Sequence, residues 1–576
     1  MRMTGYPSID KPWLKFYEEK AVKMKMPECS IYELLVEKNK DYPNDIAIEY
    51  MGTKITYKQL FRKIDETAAA FLGMGVKEGE IVTLTLPSIP EALYCVYALN
   101  KINAVPNMVH PLAGESDIRH YIDEVKSRIV VMFDGTYEIV KDSVFQTTCE
   151  HAVVVSPAVS LPPVLKQLYL LKNPAIKTQG DKLLSWKDFM KKGNGIKVVE
   201  KKRDPHGLSL ISHTGGTTGF PKGVMCTDFG LVSHILAVVG TMPHERQDRL
   251  VVVLPPFINY SLVTSMLLPL SEGITTVLIP KYEAEKLDYY IKKLKPNHMA
   301  SIPAYWEALL DVDSDTDYSG LKNCFYGGEK MAEEKENQVN EVFKKHGATV
   351  KLRKGLGSTE IVSAATATLK NCNVRGSVGI PLIGINCKIV EPETENEVLP
   401  NTEGEICFAG NQLMLGYYDN EEETNNLIHV HKDGLRWMHT GDLGHMDEDG
   451  VLFITGRIKR IIMTRGSDGM PTKMFPDRIE RTIMMDKRVL MCCMIGVPDD
   501  FRINYPKAYV VINPSVENQD EVKAAIKKNC EQNLPDYMNP DVFVYMDNLP
   551  RTDRGKVDYR ALERLNEEEM AAGTKA

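Results

Sequence analysis

The 576-residue sequence is poor in the features that mark secreted, membrane-spanning or nucleic-acid-binding chains. Its 11 cysteines are scattered, with no C-x-x-C pair and no histidine beside them to complete a zinc clamp. The adjacent Cys492 and Cys493 cannot act as a spaced ligand pair. The opening MRMTGYPSIDKPW has no apolar signal core, and no stretch reaches the ~18 apolar residues of a spanning helix. No basic run occurs, and 70 Lys and Arg against 78 Asp and Glu leave a net charge of -8. Such a surface is not drawn to nucleic acid or anionic lipid. A reduced, soluble, cytoplasmic protein is expected. What is present, 43% hydrophobic and 26% charged residues, excludes global disorder and fibres.

The length suits about four folding units, or one large α/β domain with an appendage. Thr56 to Gly75 carries apolar residues at helical spacing (Tyr57, Leu60, Phe61, Ile64, Ala68, Phe71, Leu72), with Thr56 and Gln59 as a capping box. The alternating Ile81–Leu86 reads as a strand. Helices are expected over Pro90–Leu99 and Ser116–Val125, and strands over Ile129–Phe133, Leu250–Leu254 and Thr275–Ile279. This alternation predicts layered α/β sheets. Val154 to Gly195 is Pro-rich, Lys-rich and poorly periodic, so a surface excursion between two lobes is expected. Its LPPVLKQLYLL is alternatively an amphipathic membrane-contacting patch. The tail after Leu565 is expected to fray.

His213 to Val224 reads HTGGTTGFPKGV. Its glycines let backbone N–H groups converge on an anion, its threonines add hydroxyls, and Lys222 adds a charge. Gly223 follows Lys222 where a Walker loop would carry Ser or Thr. The segment resembles the phosphate loop of the adenylate-forming enzymes, which include acyl-CoA synthetases, aryl-CoA ligases, luciferases and peptide-synthetase adenylation domains. Gly215 stands where many members have Ser, a spelling similar to some long-chain fatty acyl-CoA ligases. The resemblance implies that Thr214, Gly215, Gly216, Thr217, Thr218, Gly219 and Lys222 hold ATP phosphates.

Further segments match the family in order. Tyr326–Glu329 (YGGE) resembles the wall of its adenine pocket, which implicates Gly328 and Glu329. Gly355–Glu360 (GLGSTE) resembles its G-Y-G-x-T-E, with Gly355, Leu356 and Gly357 at the nucleotide, Thr359 at the α-phosphate and Glu360 on magnesium. Leu356 replaces the usual aromatic. Trp437–Leu443 (WMHTGDL) implies ribose binding by Asp442, and Gly456–Arg460 (GRIKR) implies a second ribose contact at Arg457 and a hinge at Lys459. Leu549–Leu562 (LPRTDRGKVDYRAL) places the catalytic lysine at Lys556.

The resemblance implies a large multi-lobed N-terminal α/β domain over 1–457, a hinge at 458–460 and a small mobile α+β lid over 461–576. It also implies ATP, Mg2+ and coenzyme A, with a fatty or aryl acid activated as acyl-AMP and passed to CoA. Two alternatives stay open: an enzyme that loads a separate carrier protein, and a non-catalytic nucleotide-binding relative. Ile258 occupies the site of a family histidine and cannot pair an ammonium, which argues against an amino-acid substrate. Ile258, Tyr260, Ser301, Phe325 and Val362 are the candidate acid pocket. The loop from Arg465 to Glu480 is about five residues longer than the family pattern. Partners are small molecules, without nucleic acid or an integral membrane segment, and at most a weak membrane or oligomer contact.

Overall fold

The computed structural model describes residues 4–178, 180–199, 201–214, 221–460, 462–466, 470–499, 501–551 and 557–571. Two seven-stranded sheets carry the large domain. The first runs in the order Arg353–Lys354, Asn323–Tyr326, His298–Ser301, Arg249–Val252, Thr275–Leu278, Ile46–Tyr50, Thr53–Thr56. The second runs Leu183–Ser185, His151–Val155, Ile129–Phe133, Ile81–Thr85, Val105–Met108, Leu208–His213, Gly223–Thr227. In each, the pairs are parallel except the hairpin at one edge. Parallel strands are buried on both faces, which is why Ile129–Phe133 reads as an unbroken apolar run.

The helix Tyr57–Gly73 begins at Thr56, whose side chain accepts from Gln59 N while Gln59 returns the bond. It buries Leu60, Ile64, Ala68 and Phe71 on the face that spacing predicted. The other expected elements form within two residues of their sequence bounds. A five-stranded antiparallel sheet follows, from Ile385–Val390, Gly404–Gly410, Arg436–Met446, Ile428–Val430 and Leu452–Arg457. Beyond the 3-10 turn Ile458–Arg460 comes a smaller unit with its own core. It holds the pair Ile462–Arg465 and Pro471–Met474, the sheet Val489–Asp499, Ile503–Ile512 and Val542–Tyr545, and the helices Pro476–Ile483, Gln519–Asn533 and Tyr559–Ala571. Among the described residues no helix is long and apolar enough to cross a membrane.

Two expectations are corrected. The excursion Val154–Gly195 is surface only in part. The helix Pro163–Lys172 buries none of its residues, but Leu183–Ser185 adds an edge strand to the second sheet. The helix Trp186–Lys192 then lays Phe189 against Phe71, ring centroids 4.9 Å apart. Only a few apolar residues are needed to anchor such short elements, too few for a periodic signal. A Cβ on Gly193 would sit 2.6 Å from Ala70 N, so the close approach of the two helices requires glycine there. The second correction is at the C-terminal end, where Asn566 and Glu569 belong to a helix instead of a frayed tail. Both accept from the buried Lys507 ammonium at 2.9 Å.

Phe189→Ala removes a fully buried ring from this junction. It is expected to lower the unfolding free energy of the large domain by about 3–5 kcal/mol, measured by denaturant titration. A loss under about 1 kcal/mol would place the 183–192 segment outside the cooperative core.

Candidate active site

The strands Ser301, Tyr326 and Lys354 end side by side in register, at the carboxyl edge of the first sheet. In open α/β sheets this edge is where ligands bind. Gly327 N donates to Ser301 O at 3.2 Å, and a Cβ on Gly327 would lie 3.8 Å from both Gly355 O and the Tyr260 ring. The YGGE and GLGSTE turns are therefore neighbours, with Tyr260 between them. Gly328 adopts a left-handed φ of 80°. Tyr326 itself is committed to structure: its hydroxyl donates to Glu336 at 2.8 Å, and Lys354 reaches the same carboxylate at 2.6 Å.

The GLGSTE turn is tightly specified. Leu356 N donates to Thr366 Oγ1 at 3.0 Å, and a Cβ on Gly357 would fall 1.8 Å from Ser363 O. Leu356, in the place of an aromatic, is half-buried and rests on the main core. Thr359–Ile361 forms one 3-10 turn. Val362 follows at φ 68° and ψ -55°, with Ser363 N bonded to Ile361 O at 2.8 Å. This is the rare, strained γ-turn, held by a β-branched residue that pays for it with burial in the main core.

The strands Leu208–His213 and Gly223–Thr227 form the hairpin that carries the glycine–threonine loop, with His213 opposite Gly223. Thr214 N bonds Lys222 O at 3.0 Å, closing the loop's base. Gly215, Gly216, Thr217, Thr218 and Gly219 lie outside the described residues, as does Lys556. The segment 414–418 runs along the outgoing strand: Leu415 N bonds Met225 O at 2.9 Å, Met225 N bonds Gly416 O at 3.0 Å, and Tyr418 N bonds Gly223 O at 2.7 Å. From it, Tyr417 Oη donates to Glu360 Oε1 at 2.8 Å while the Lys222 ammonium sits 4.4 Å over its ring. Lys222 also pairs with Glu423. The sequence did not single out Tyr417 or Glu423, because only the fold brings residues near 420 to the loop near 220.

The third component is the antiparallel sheet. Asp442 pairs with Arg457 across neighbouring strands, and the Nε–Oδ1 distance is 2.7 Å. Asp442 is buried, while Arg457 is largely exposed. Ser358 Oγ lies 4.0 Å from Met438 Sδ, which brings this strand to the GLGSTE turn. Thus Thr359, Glu360, Asp442 and the loop base are linked through one set of contacts. Past Arg457 the backbone of Lys459 lies in the 3-10 turn, and Arg460 is clasped by Glu480 at 2.6 Å and Asp477 at 3.3 Å. Burial pulls the Arg460 guanidinium down, but those carboxylates outweigh it and keep it charged. Lys487 of the smaller unit reaches Glu334 of the large domain at 2.9 Å.

Of the proposed acid pocket, Ser301 and Tyr260 are contiguous with Gly327, and both hydroxyl oxygens are buried without a hydrogen-bond partner among the described residues. Phe325 lies under the Arg353 guanidinium at 4.5 Å. Ile258 is half-buried and leads into a π-helix, Tyr260–Leu267, a form that recurs at functional sites. Glu329 is half-buried beside Gly328.

Glu124 lies behind the hairpin, 3.6 Å from His213 Nδ1. Desolvation pushes its carboxyl up to about 7, although a hydrogen bond from Gly223 N opposes this. Since the folded value lies above the unfolded one, its stabilising share is full below pH ~4.5 and is lost as pH rises through ~7. Glu124→Gln is therefore expected to flatten the fall in unfolding free energy between those pH values, measured by denaturant titration at several pH values. An unchanged pH profile would contradict this assignment.

The profile described as AMP-binding enzyme matches residues 35–418, and that described as AMP-binding enzyme C-terminal domain matches residues 478–556. The chain is 26% identical over 570 residues to a long-chain-fatty-acid–CoA ligase of Bacillus subtilis, covering 97% of this chain and 98% of the relative. It is equally 26% identical over 570 residues to a probable 4-coumarate–CoA ligase 2 of Dictyostelium discoideum, covering 96% and 98%. Among solved structures it resembles the anthranilate CoA ligase AuaEII in complex with anthranoyl-AMP (TM-score 0.77, 20% identity, 95% and 98% covered). ATP-bound MatB from Rhodopseudomonas palustris is similar too (TM-score 0.78, 21% identity, 93% and 98% covered). With two thirds of its length matched by the first profile and the second falling in the smaller unit, the chain belongs to the AMP-binding enzyme family.

Proposed function

We propose that this protein is an AMP-forming acid–thiol ligase: it joins a carboxylic acid to AMP with release of pyrophosphate, then passes the acyl group to CoA with release of AMP. The observation that carries this reading is that three sheets meet at the candidate site: Tyr417 ties the loop base to the Thr359–Glu360 turn, and Ser358 meets Met438 on the strand that carries Asp442. The names of the relatives support a fatty or aryl acid as substrate. Half-buried Ile258 and the buried hydroxyls of Tyr260 and Ser301 suit an apolar acid with few polar contacts.

A carboxylate is a poor electrophile, and attack on the α-phosphate first requires two anions to meet. The chain's groups answer that electrostatic problem. Loop N–H groups bind the departing pyrophosphate, Thr359 orients the α-phosphate, and Asp442 with Arg457 fixes the ribose. Lys556, on the lid formed by 461–576, screens the approach of the two anions. Rotation about 458–460 then withdraws it for thiol attack. Glu360 fits a magnesium ligand: Oε1 takes the Tyr417 hydroxyl, and Oε2 has no hydrogen bond to any described residue. Such a hard cation, held by Glu360, would offset the charge of the phosphates. The eleven unbridged thiols fit a reducing, cytoplasmic setting.

Two measurements test the reading. With ATP, CoA and a panel of fatty and aryl acids, AMP and pyrophosphate should appear, and acyl-CoA only when CoA is present. Release of ADP and phosphate, or complete turnover without CoA, would refute it. Lys556→Ala should abolish acid-dependent pyrophosphate exchange yet leave thioester formation from supplied acyl-adenylate largely intact. Asp442→Ala should raise KM for ATP about ten- to a hundredfold, the worth of a hydrogen bond to a charged group.

A further inference from the structure

The antiparallel sheet that presents Asp442 also gathers three imidazoles. Ile428–Val430 runs antiparallel to Arg436–Met446, with His429 opposite Trp437, and His431 N extends the ladder to Leu435 O at 3.1 Å. Side chains two apart share a face, so His429, His431 and His439 meet on the side that carries Trp437. His431 Nε2 and His439 Nε2 are 2.9 Å apart, and the His429 and His439 rings are 4.5 Å apart. One ring nitrogen from each histidine lies within 4.8 Å of the other two.

We propose that His429, His431 and His439 form a binding site for a transition-metal dication of the zinc class, with Glu405 holding His439 in its ligating tautomer. Glu405 Oε2 accepts from His439 Nδ1 at 2.8 Å, so the proton sits on Nδ1 and the Nε2 lone pair faces His431. A carboxylate behind a ligating imidazole is the usual support of such a ligand. Tetrahedral bonds of about 2.0–2.1 Å separate neighbouring donors by roughly 3.3 Å, a small widening of the pair now at 2.9 Å. On binding, the His431 proton moves from Nε2 to Nδ1, a buried nitrogen with no hydrogen-bond partner among the described residues.

Lys388 opposes a cation, but it is drawn onto the Trp437 ring at 4.2 Å and towards Asp433 at 3.8 Å. Exposed His429 leaves the fourth position open to water. The alternative grouping of Glu405, Cys407 and His439 would need the Glu405–His439 bond broken and a fully buried thiol as ligand. Glu405 Oε1 also accepts from Gly441 N at 3.0 Å, so the site adjoins the Asp442 turn without using Asp442.

The test uses the full-length chain, stripped with chelator and titrated with zinc chloride alone against a chromophoric indicator. Wild type should take up one more ion per chain than His429→Ala or His431→Ala, and zinc should raise only the wild type's unfolding temperature. Glu405→Gln should weaken this ion's binding about 10–100-fold. Cobalt(II) should give tetrahedral d–d bands in wild type that both histidine variants lack. His429 is exposed, so its variant decides the matter even if His431→Ala fails to fold. Equal uptake and spectra in wild type and His429→Ala, or a sulfur ligand in the metal's X-ray absorption spectrum, would overturn the proposal.

Discussion

One tyrosine holds the candidate site together. Tyr417 donates to Glu360 and supports the Lys222 ammonium on its ring, so the turn that carries Glu360 and the exit of the glycine–threonine loop share one anchor. A hydrogen bond to a carboxylate contributes about 1.5–3 kcal/mol and a cation over a ring about 0.5–2 kcal/mol. These are modest energies beside the conformational entropy that fixing several residues costs. They suffice because strand-to-segment hydrogen bonds between 414–418 and 223–225 have already fixed the backbone.

The same economy explains where strain is tolerated. Val362 adopts a backbone form that costs of order 1–3 kcal/mol, two residues after Glu360. A side chain at Gly357 would collide with Ser363 O, and the Val362 side chain is buried, so the turn is closely packed on both sides. A rigid turn keeps the Thr359 and Glu360 side chains in place without ligand, which is the condition for electrostatic help in a transition state.

The three-histidine face belongs to a different layer of organisation. It lies on the Trp437 face of the sheet that supplies Asp442, and Glu405 joins the two by accepting from both His439 and Gly441. The sequence carries no cysteine pair or spaced Cys–His clamp to mark a metal site. The pattern H-x-H followed eight residues later by a third histidine was legible but meaningless until the hairpin folded it onto one face.

Much of the architecture was written in local pattern. The capping box at Thr56, the apolar spacing of Tyr57–Gly73 and the β-branched runs at Ile81 and Ile129 need no distant partner to declare helix or strand, because each periodicity reflects the pitch of its own backbone. The motif order likewise indicated the family, since glycines in a phosphate loop and a paired carboxylate obey local chemistry. Tertiary structure alone decided which segments meet: that Leu183–Ser185 completes a sheet, that Tyr417 reaches Glu360, and that Glu124 sits half-buried behind Gly223. Those contacts join residues up to about 100 positions apart in the chain, and their energies depend on burial and approach, which no local pattern records.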